Sequence, residues 1–179
     1  MKRRKNQIAD YEFQKNDEKK MASTDDWRTP DWLFNPVRDE FDLVVDRAAD
    51  RSNYKLPFYY TKDDRINVLD MNWTVPGWIN PPYSKPELWF DKAHKEQLER
   101  GVTSVLLVRV DPANNYWIRN IYDAHVRYIA GRIKFWDANN QPRYGATFSS
   151  ALIIFTPETI GKHSSSYWEY RDGNPRKLF

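Results

Sequence analysis

Residues 104–110, Ser-Val-Leu-Leu-Val-Arg-Val, are almost continuously apolar, and a strand of that kind must be covered on both faces. The sequence around it supplies the cover. Pro86 opens a helical pattern that runs to Arg100 and stops at Gly101, a residue suited to the left-handed turn after a helix. Asp111-Pro112 then starts a second helical pattern to about residue 124, with Trp117, Ile118, Ile121 and Tyr122 as its buried stripe. Residues 126–129 and 151–155 read as further strands, joined by a polar loop over 139–145. Upstream, Thr29-Pro30-Asp31 has the order of a helix start, and Trp32, Leu33, Val37 and Phe41 follow at helical spacing. Pro36 lies inside that pattern and predicts a kink or a restart. Leu43-Val44-Val45 reads as a buried strand ending at Asp46, and Trp78-Ile79 as a short strand ending at Asn80. Strands alternating with helices predict an α/β fold with a mostly parallel central sheet and flanking helices. Ligands in such sheets bind beyond the carboxyl ends of the strands, where Asp46 and Asn80 are both expected.

Composition narrows the chemistry. At 179 residues, with 40% hydrophobic and 30% charged side chains, one soluble domain is expected over 27–160, preceded by a charged arm over 1–26 and followed by an extension over 161–179. The arm, with a helical tendency over 7–20, reads as a solvated tail or as a basic arm touching phosphates. The chain has no cysteine, which excludes disulfides, cysteine-bound zinc and a cysteine nucleophile of the kind that activates carbon 5 of cytosine. Its three histidines are scattered, so no metal site is expected. No apolar run approaches the ~20 residues of a membrane span, and the basic start lacks the apolar stretch of a signal peptide. A cytoplasmic protein is expected. A net charge of +3 is compatible with a polyanionic partner without requiring one, and the 16% aromatic content suits either a core or base stacking.

Asn80-Pro81-Pro82-Tyr83-Ser84 is the most informative stretch. Prolines cannot continue a strand ladder, so these residues form the loop leaving the strand. They resemble the Asp/Asn-Pro-Pro-Tyr signature of methyltransferases that act on exocyclic or amide nitrogens. Such a nitrogen is a poor nucleophile because its lone pair is delocalised. Two acceptors on its two hydrogens, the Asn80 side-chain oxygen and the Pro81 carbonyl, would localise that pair, with Pro81 and Pro82 fixing the backbone in advance. Tyr83 would stack on a base extruded from the duplex. The same residues could also be a proline-rich turn that merely ends a strand.

Taken with its surroundings, the motif gives the chain a wider resemblance to the phage-type DNA N6-adenine methyltransferases. It covers about residues 26–157. It is carried by Thr29-Pro30 with Leu33-Phe34 and Glu40-Phe41, Val45-Asp46 with Ala48, Tyr59-Tyr60-Thr61, Leu69 and Trp73, and the motif itself. Leu107-Val108-Arg109, Gly131-Arg132-Ile133-Lys134-Phe135 and residues 148–155 continue it in order. The resemblance implies a Rossmann-like methyltransferase fold, S-adenosylmethionine as donor and double-stranded DNA as substrate. It implies that Thr29, Pro30, Asp46, Ala48, Asp64 and Asn67 contact the cofactor and that Asn80, Pro81, Pro82 and Tyr83 are catalytic. Ser84, Lys85, Arg109, Arg132 and Lys134 are candidates for DNA contact, although single cations are also commonly solvated or paired with acids. Asp46 could instead be a helix cap or an ion partner. Arg47 departs from the family pattern, being bulky where a small residue is usual.

Other substrates fit the same motif. A pair of acceptors suits any planar NH2 group, so cytosine N4 or a protein glutamine amide is an alternative acceptor; adenine leads over cytosine because the cytosine enzymes more often carry Ser in place of Asn80. A non-enzymatic DNA-binding module on the same fold is the third reading.

Overall fold

The apolar runs form one eight-stranded mixed sheet. The computed structural model describes residues 27–137, 141–142, 145–171 and 174–179. The arm over 1–26 and most of the 139–145 loop lie outside the described residues. In chain order the elements are α1 (Asp31–Glu40), β1 (Val45–Ala49), β2 (Phe58–Thr61), β3 (Gly77–Ile79), α2 (Pro86–Arg100), β4 (Ser104–Arg109), α3 (Asn115–Asn120), β5 (His125–Ile129), β6 (Ser150–Phe155), β7 (Ser164–Arg171) and β8 (Asn174–Lys177). The strand order across the sheet is β2-β1-β3-β4-β6-β5-β7-β8.

The sheet is more mixed than expected. β1 pairs in parallel with β2 and β3, β3 with β4, and β5 with β7. The pairs β4 with β6, β5 with β6, and β7 with β8 are antiparallel. The physical reason lies in the 130–149 connection, where the described residues hold no helix. A parallel neighbour needs a crossover, usually helical, whereas β6 simply turns back beside β5. Residues 161–179, expected as an extension, contribute β7 and β8 to this same sheet.

Alternation along the central strands explains their unbroken hydrophobicity. On one face Val105, Leu107, Leu152 and Ile154 pack with Leu33, Phe34 and Val37 of α1. On the other, Leu106, Val108, Ile153 and Phe155 pack with Trp89, Phe90 and Ala93 of α2 and with Trp117. α1 runs through Pro36, and its first residue is Asp31, with Pro30 rather than Thr29 in the cap position. The Pro30 carbonyl starts the ladder by accepting from the N–H groups of Leu33 and Phe34. The far end of α1 is tied to the sheet by Glu40, whose two carboxylate oxygens accept from Arg127. Arg127 is itself buried with its guanidinium 4.2 Å from the Trp168 ring. α2 ends as expected at Gly101, with φ of 66° and its N–H donating to the Gln97 carbonyl. α3 is shorter than its hydrophobic pattern predicts. Ile118 and Tyr122 are exposed, because the inward positions are taken by Trp117 and by Asn120, whose amide bonds to Asp91 and His94 of α2.

Arg47 has a specific structural role. Although it lies in β1, its side chain is buried, stacks 4.2 Å from the Trp73 ring and donates to the Val75 carbonyl. Burial pushes its guanidinium down to about 10. It lies directly over Gly77, where an added Cβ would sit 1.4 Å from one guanidinium nitrogen. Any side chain at position 77 would force the Arg47 guanidinium out of this place. No helix among the described residues is long and apolar enough to cross a membrane.

Gly77→Ala is expected to destabilise the fold by about 1–3 kcal/mol through overpacking, measured by urea unfolding. The double variant with Arg47→Ala should recover part of that loss. Wild-type stability in the single variant would contradict the packing described.

Candidate active site

The chain steps from β1 outward to β2 on one side and from β3 outward to β4 on the other, so the strand order reverses between β1 and β3. Such a switch point leaves a crevice beyond the carboxyl ends of the two strands. β5 runs antiparallel to β6, and β6 antiparallel to β4, so β5 ends on the same rim as β1, β3 and β4. The segments that follow these strands, with Phe148 just ahead of β6, form that rim.

Asn80 leaves β3 at the switch point. Its side-chain Nδ2 donates to the Trp27 carbonyl at 3.0 Å. With the nitrogen so engaged, Oδ1 faces the other way, and this oxygen is buried with no hydrogen-bond donor among the described residues. The turn that follows is closed by the Lys85 N–H donating to the Pro82 carbonyl, not to that of Pro81. Tyr83 projects from this turn into an aromatic cluster. Its ring stands edge-on to Phe148 at 5.2 Å and to Trp27 at 6.4 Å. Trp27 in turn stacks on Phe148 at 5.7 Å with 14° between planes, and lies 5.1 Å from Phe135.

The residues expected around a cofactor divide between two adjoining cavities that share Ala48 and Asn53. Thr29, Asp46, Ala48 and Asn80 line the smaller, of about 10 Å³. Ala48, Asp64, Asn67 and Pro82 line the larger, of about 390 Å³, together with Asp50 and Asn53. Thus Asn80 itself touches only the small space, while the large one reaches the motif at Pro82. Asp46 lies inside β1 rather than at its end, because the strand runs on to Ala49. Its carboxylate accepts from the N–H groups of Ala48 at 3.3 Å and Lys55 at 3.0 Å. Burial nevertheless outweighs those donors and pushes its carboxyl up to about 6. Thr29 is buried, and its hydroxyl lacks a partner among the described residues. Asp64 accepts from the Thr61 N–H at 2.7 Å, and Asn67 bonds to Asp70, so each shapes the loop as well as the cavity wall. Pro30 lines neither cavity and serves as the cap of α1.

The cations are dispersed. Ser84 and Lys85 are exposed beside the motif, and Arg109 pairs with Asp111 at 3.3 Å. Arg132 and Lys134 are exposed and border an open concavity with Trp32. Between and after them, Ile133 and Phe135 are buried, so the segment is anchored by one side and presents charge on the other. No group of acidic or histidine side chains among the described residues is arranged to hold a metal ion. Sequence reasoning missed Trp27 and Phe135 as neighbours of the motif. The only local signal was an aromatic residue two positions ahead of Thr29.

A model of the DNA N-6-adenine-methyltransferase (Dam) family matches residues 16–174. The chain is 29% identical over 162 residues to the DNA N-6-adenine-methyltransferase of Haemophilus phage HP1 (strain HP1c1), covering 83% of this chain and 88% of that one. Among solved structures, the type IIL restriction-modification enzyme MmeI in complex with DNA aligns with 79% of this chain and 23% of its own, at 14% identity and a TM-score of 0.40. With the family match spanning most of its length, the chain belongs to the DNA N-6-adenine-methyltransferase (Dam) family.

Proposed function

We propose that Asn80, Pro81, Pro82 and Tyr83 carry out methylation of adenine N6 in double-stranded DNA, with S-adenosylmethionine as donor. The observation that carries this reading is the buried Oδ1 of Asn80, without a donor among the described residues and oriented by the bond from its own amide nitrogen to Trp27. An acceptor kept out of water and fixed in direction has little reorganisation left when a substrate N–H arrives. It is suited to a group with two hydrogens on a planar nitrogen. Asn80 would take one hydrogen and the Pro81 carbonyl the other, drawing the amino nitrogen out of conjugation. Tyr83 would stack on the extruded base, an interaction worth ~1–3 kcal/mol.

The sheet is read as a Rossmann-like methyltransferase core because its switch point lies between β1 and β3. The residues present suit the cofactor. A cavity of about 390 Å³ lies within the usual range for small-molecule sites, roughly 300–1,000 Å³. Thr29 offers a buried hydroxyl without a partner among the described residues, Ala48 leaves space at the end of β1, and Asp64 and Asn67 supply acceptors on the far wall. When bound, S-adenosylmethionine supplies an electrophilic methyl group on a sulfonium. On this reading the protein acts in the cytoplasm, that of the host if the chain is phage-encoded.

For DNA contact, Arg132 and Lys134 are preferred over Arg109, because Asp111 already neutralises Arg109. Lys85 and Ser84, exposed beside the motif, would meet the backbone next to the target.

Asn80→Ala is expected to lower kcat by about 10²–10³-fold while leaving S-adenosylmethionine affinity little changed, read by methyl transfer and by calorimetry. Undiminished turnover would remove Asn80 from the mechanism. Replacing Arg132 and Lys134 together by Ala should weaken DNA binding and lessen the slope of log K against log[salt] by about 0.9 per lost phosphate contact. An unchanged slope would assign those cations to solvent.

A further inference from the structure

We propose that Trp27 is a positioning residue for the target base: its carbonyl sets the direction of the Asn80 amide, and its indole holds the slot that the purine must enter. The proposal rests on the reading of Asn80 and Tyr83 given above.

The cavity at Asn80, about 10 Å³, has room for about one water molecule. No nucleobase can reach Oδ1 unless a neighbouring group moves. Three of the rings around the motif are walls. Phe135 is buried, Tyr83 is carried on the proline turn, and Phe148, which packs against the core as Trp27 also does, leads directly into β6. Trp27 lies among all three, nearly parallel to Phe148 and edge-on to Tyr83. Indole and purine are both flat, fused bicyclic rings of similar size, so the space that admits one is shaped for the other. The indole Nε1 is also buried without an acceptor among the described residues, a cost that outward rotation would relieve.

The two contributions of Trp27 are separable. Its backbone is held in place by the neighbouring Arg28, which exchanges hydrogen bonds with Trp136 at 3.1 and 3.0 Å. The ring can therefore change rotamer while the Trp27 carbonyl stays on Asn80 Nδ2. Base entry then displaces the indole without disturbing the acceptor, and the energy needed for that displacement is charged against every base that enters. A protein held in a closed form binds more weakly by the fraction of time it is open.

The test uses the full chain and 2-aminopurine riboside, a purine nucleoside whose fluorescence falls on stacking. Trp27→Ala should bind this probe about five-fold more tightly than the wild type, the lower end of one base-stacking interaction, and adding Phe148→Ala should reverse the gain. The KM for DNA should fall in Trp27→Ala. Trp27→Phe, which keeps a ring in the core, should give an intermediate probe affinity, and thermal melting shows that each variant is folded. If folded Trp27→Ala and Trp27→Phe bind the probe no better than the wild type, or if kcat falls with KM for DNA unchanged, the indole is only a wall and the proposal is overturned. Full turnover in Asn80→Ala would instead defeat the underlying reading, independently of the probe result.

Discussion

The hydrogen bond from Asn80 Nδ2 to the Trp27 carbonyl sets the direction of the group on which the site depends. An amide has a donor end and an acceptor end, and tying down the donor leaves the acceptor buried and facing the other way. A carboxylate in the same place would set two oxygens against each other at that short distance. In this chain the choice of Asn at position 80 is thus coupled to a backbone atom 53 residues away, in the segment that leads into α1.

The rest of the fold keeps that pair in place. β3 has only three residues, and its hold on β1 depends on the absence of a side chain at Gly77, over which Arg47 spreads. Arg47 rests on Trp73, and the Trp73 backbone N–H donates to the buried Glu96 of α2. Behind the proline turn, therefore, a chain of contacts runs from the sheet to the helix that the turn leads into. On the opposite face, the Glu40–Arg127 pair anchors the end of α1 to β5, fixing the helix whose N-terminal lead-in carries Thr29 and Trp27. One half of the site is braced by the buried Arg47 and Glu96 and the other by the buried Arg127, on opposite sides of one sheet.

The parts of this arrangement that depend on local chemistry were legible in the sequence. The proline turn after β3, the glycine stop after α2 and the buried runs of β4 and β6 all follow from residue types at fixed spacing. Direction was not legible for β6, because a strand buried at all of its residues reads the same whether it runs parallel or antiparallel. β7 and β8 were hidden for a related reason: much of their length is exposed, so they lack a core signal, and their place depends on pairing with β5. α3 was overestimated because its hydrophobic spacing cannot report that Asn120 would be drawn inward by polar groups on α2. Arg47 looked like an obstacle in the cofactor region, and it does line the cavity of about 390 Å³; that its side chain also covers Gly77 is something only three-dimensional contact reveals. Trp27 was invisible as a site residue because nothing in the sequence links it to a motif so distant along the chain.

The most direct measurement is the identity of the methylated product. Purified protein, tritiated S-adenosylmethionine and unmethylated duplex DNA are incubated, and the DNA is digested to nucleosides and separated. The label is expected to elute with the nucleoside of N6-methyladenine, N6-methyl-2′-deoxyadenosine. Label in the nucleoside of N4-methylcytosine, or in protein with none in DNA, would contradict the proposed reaction.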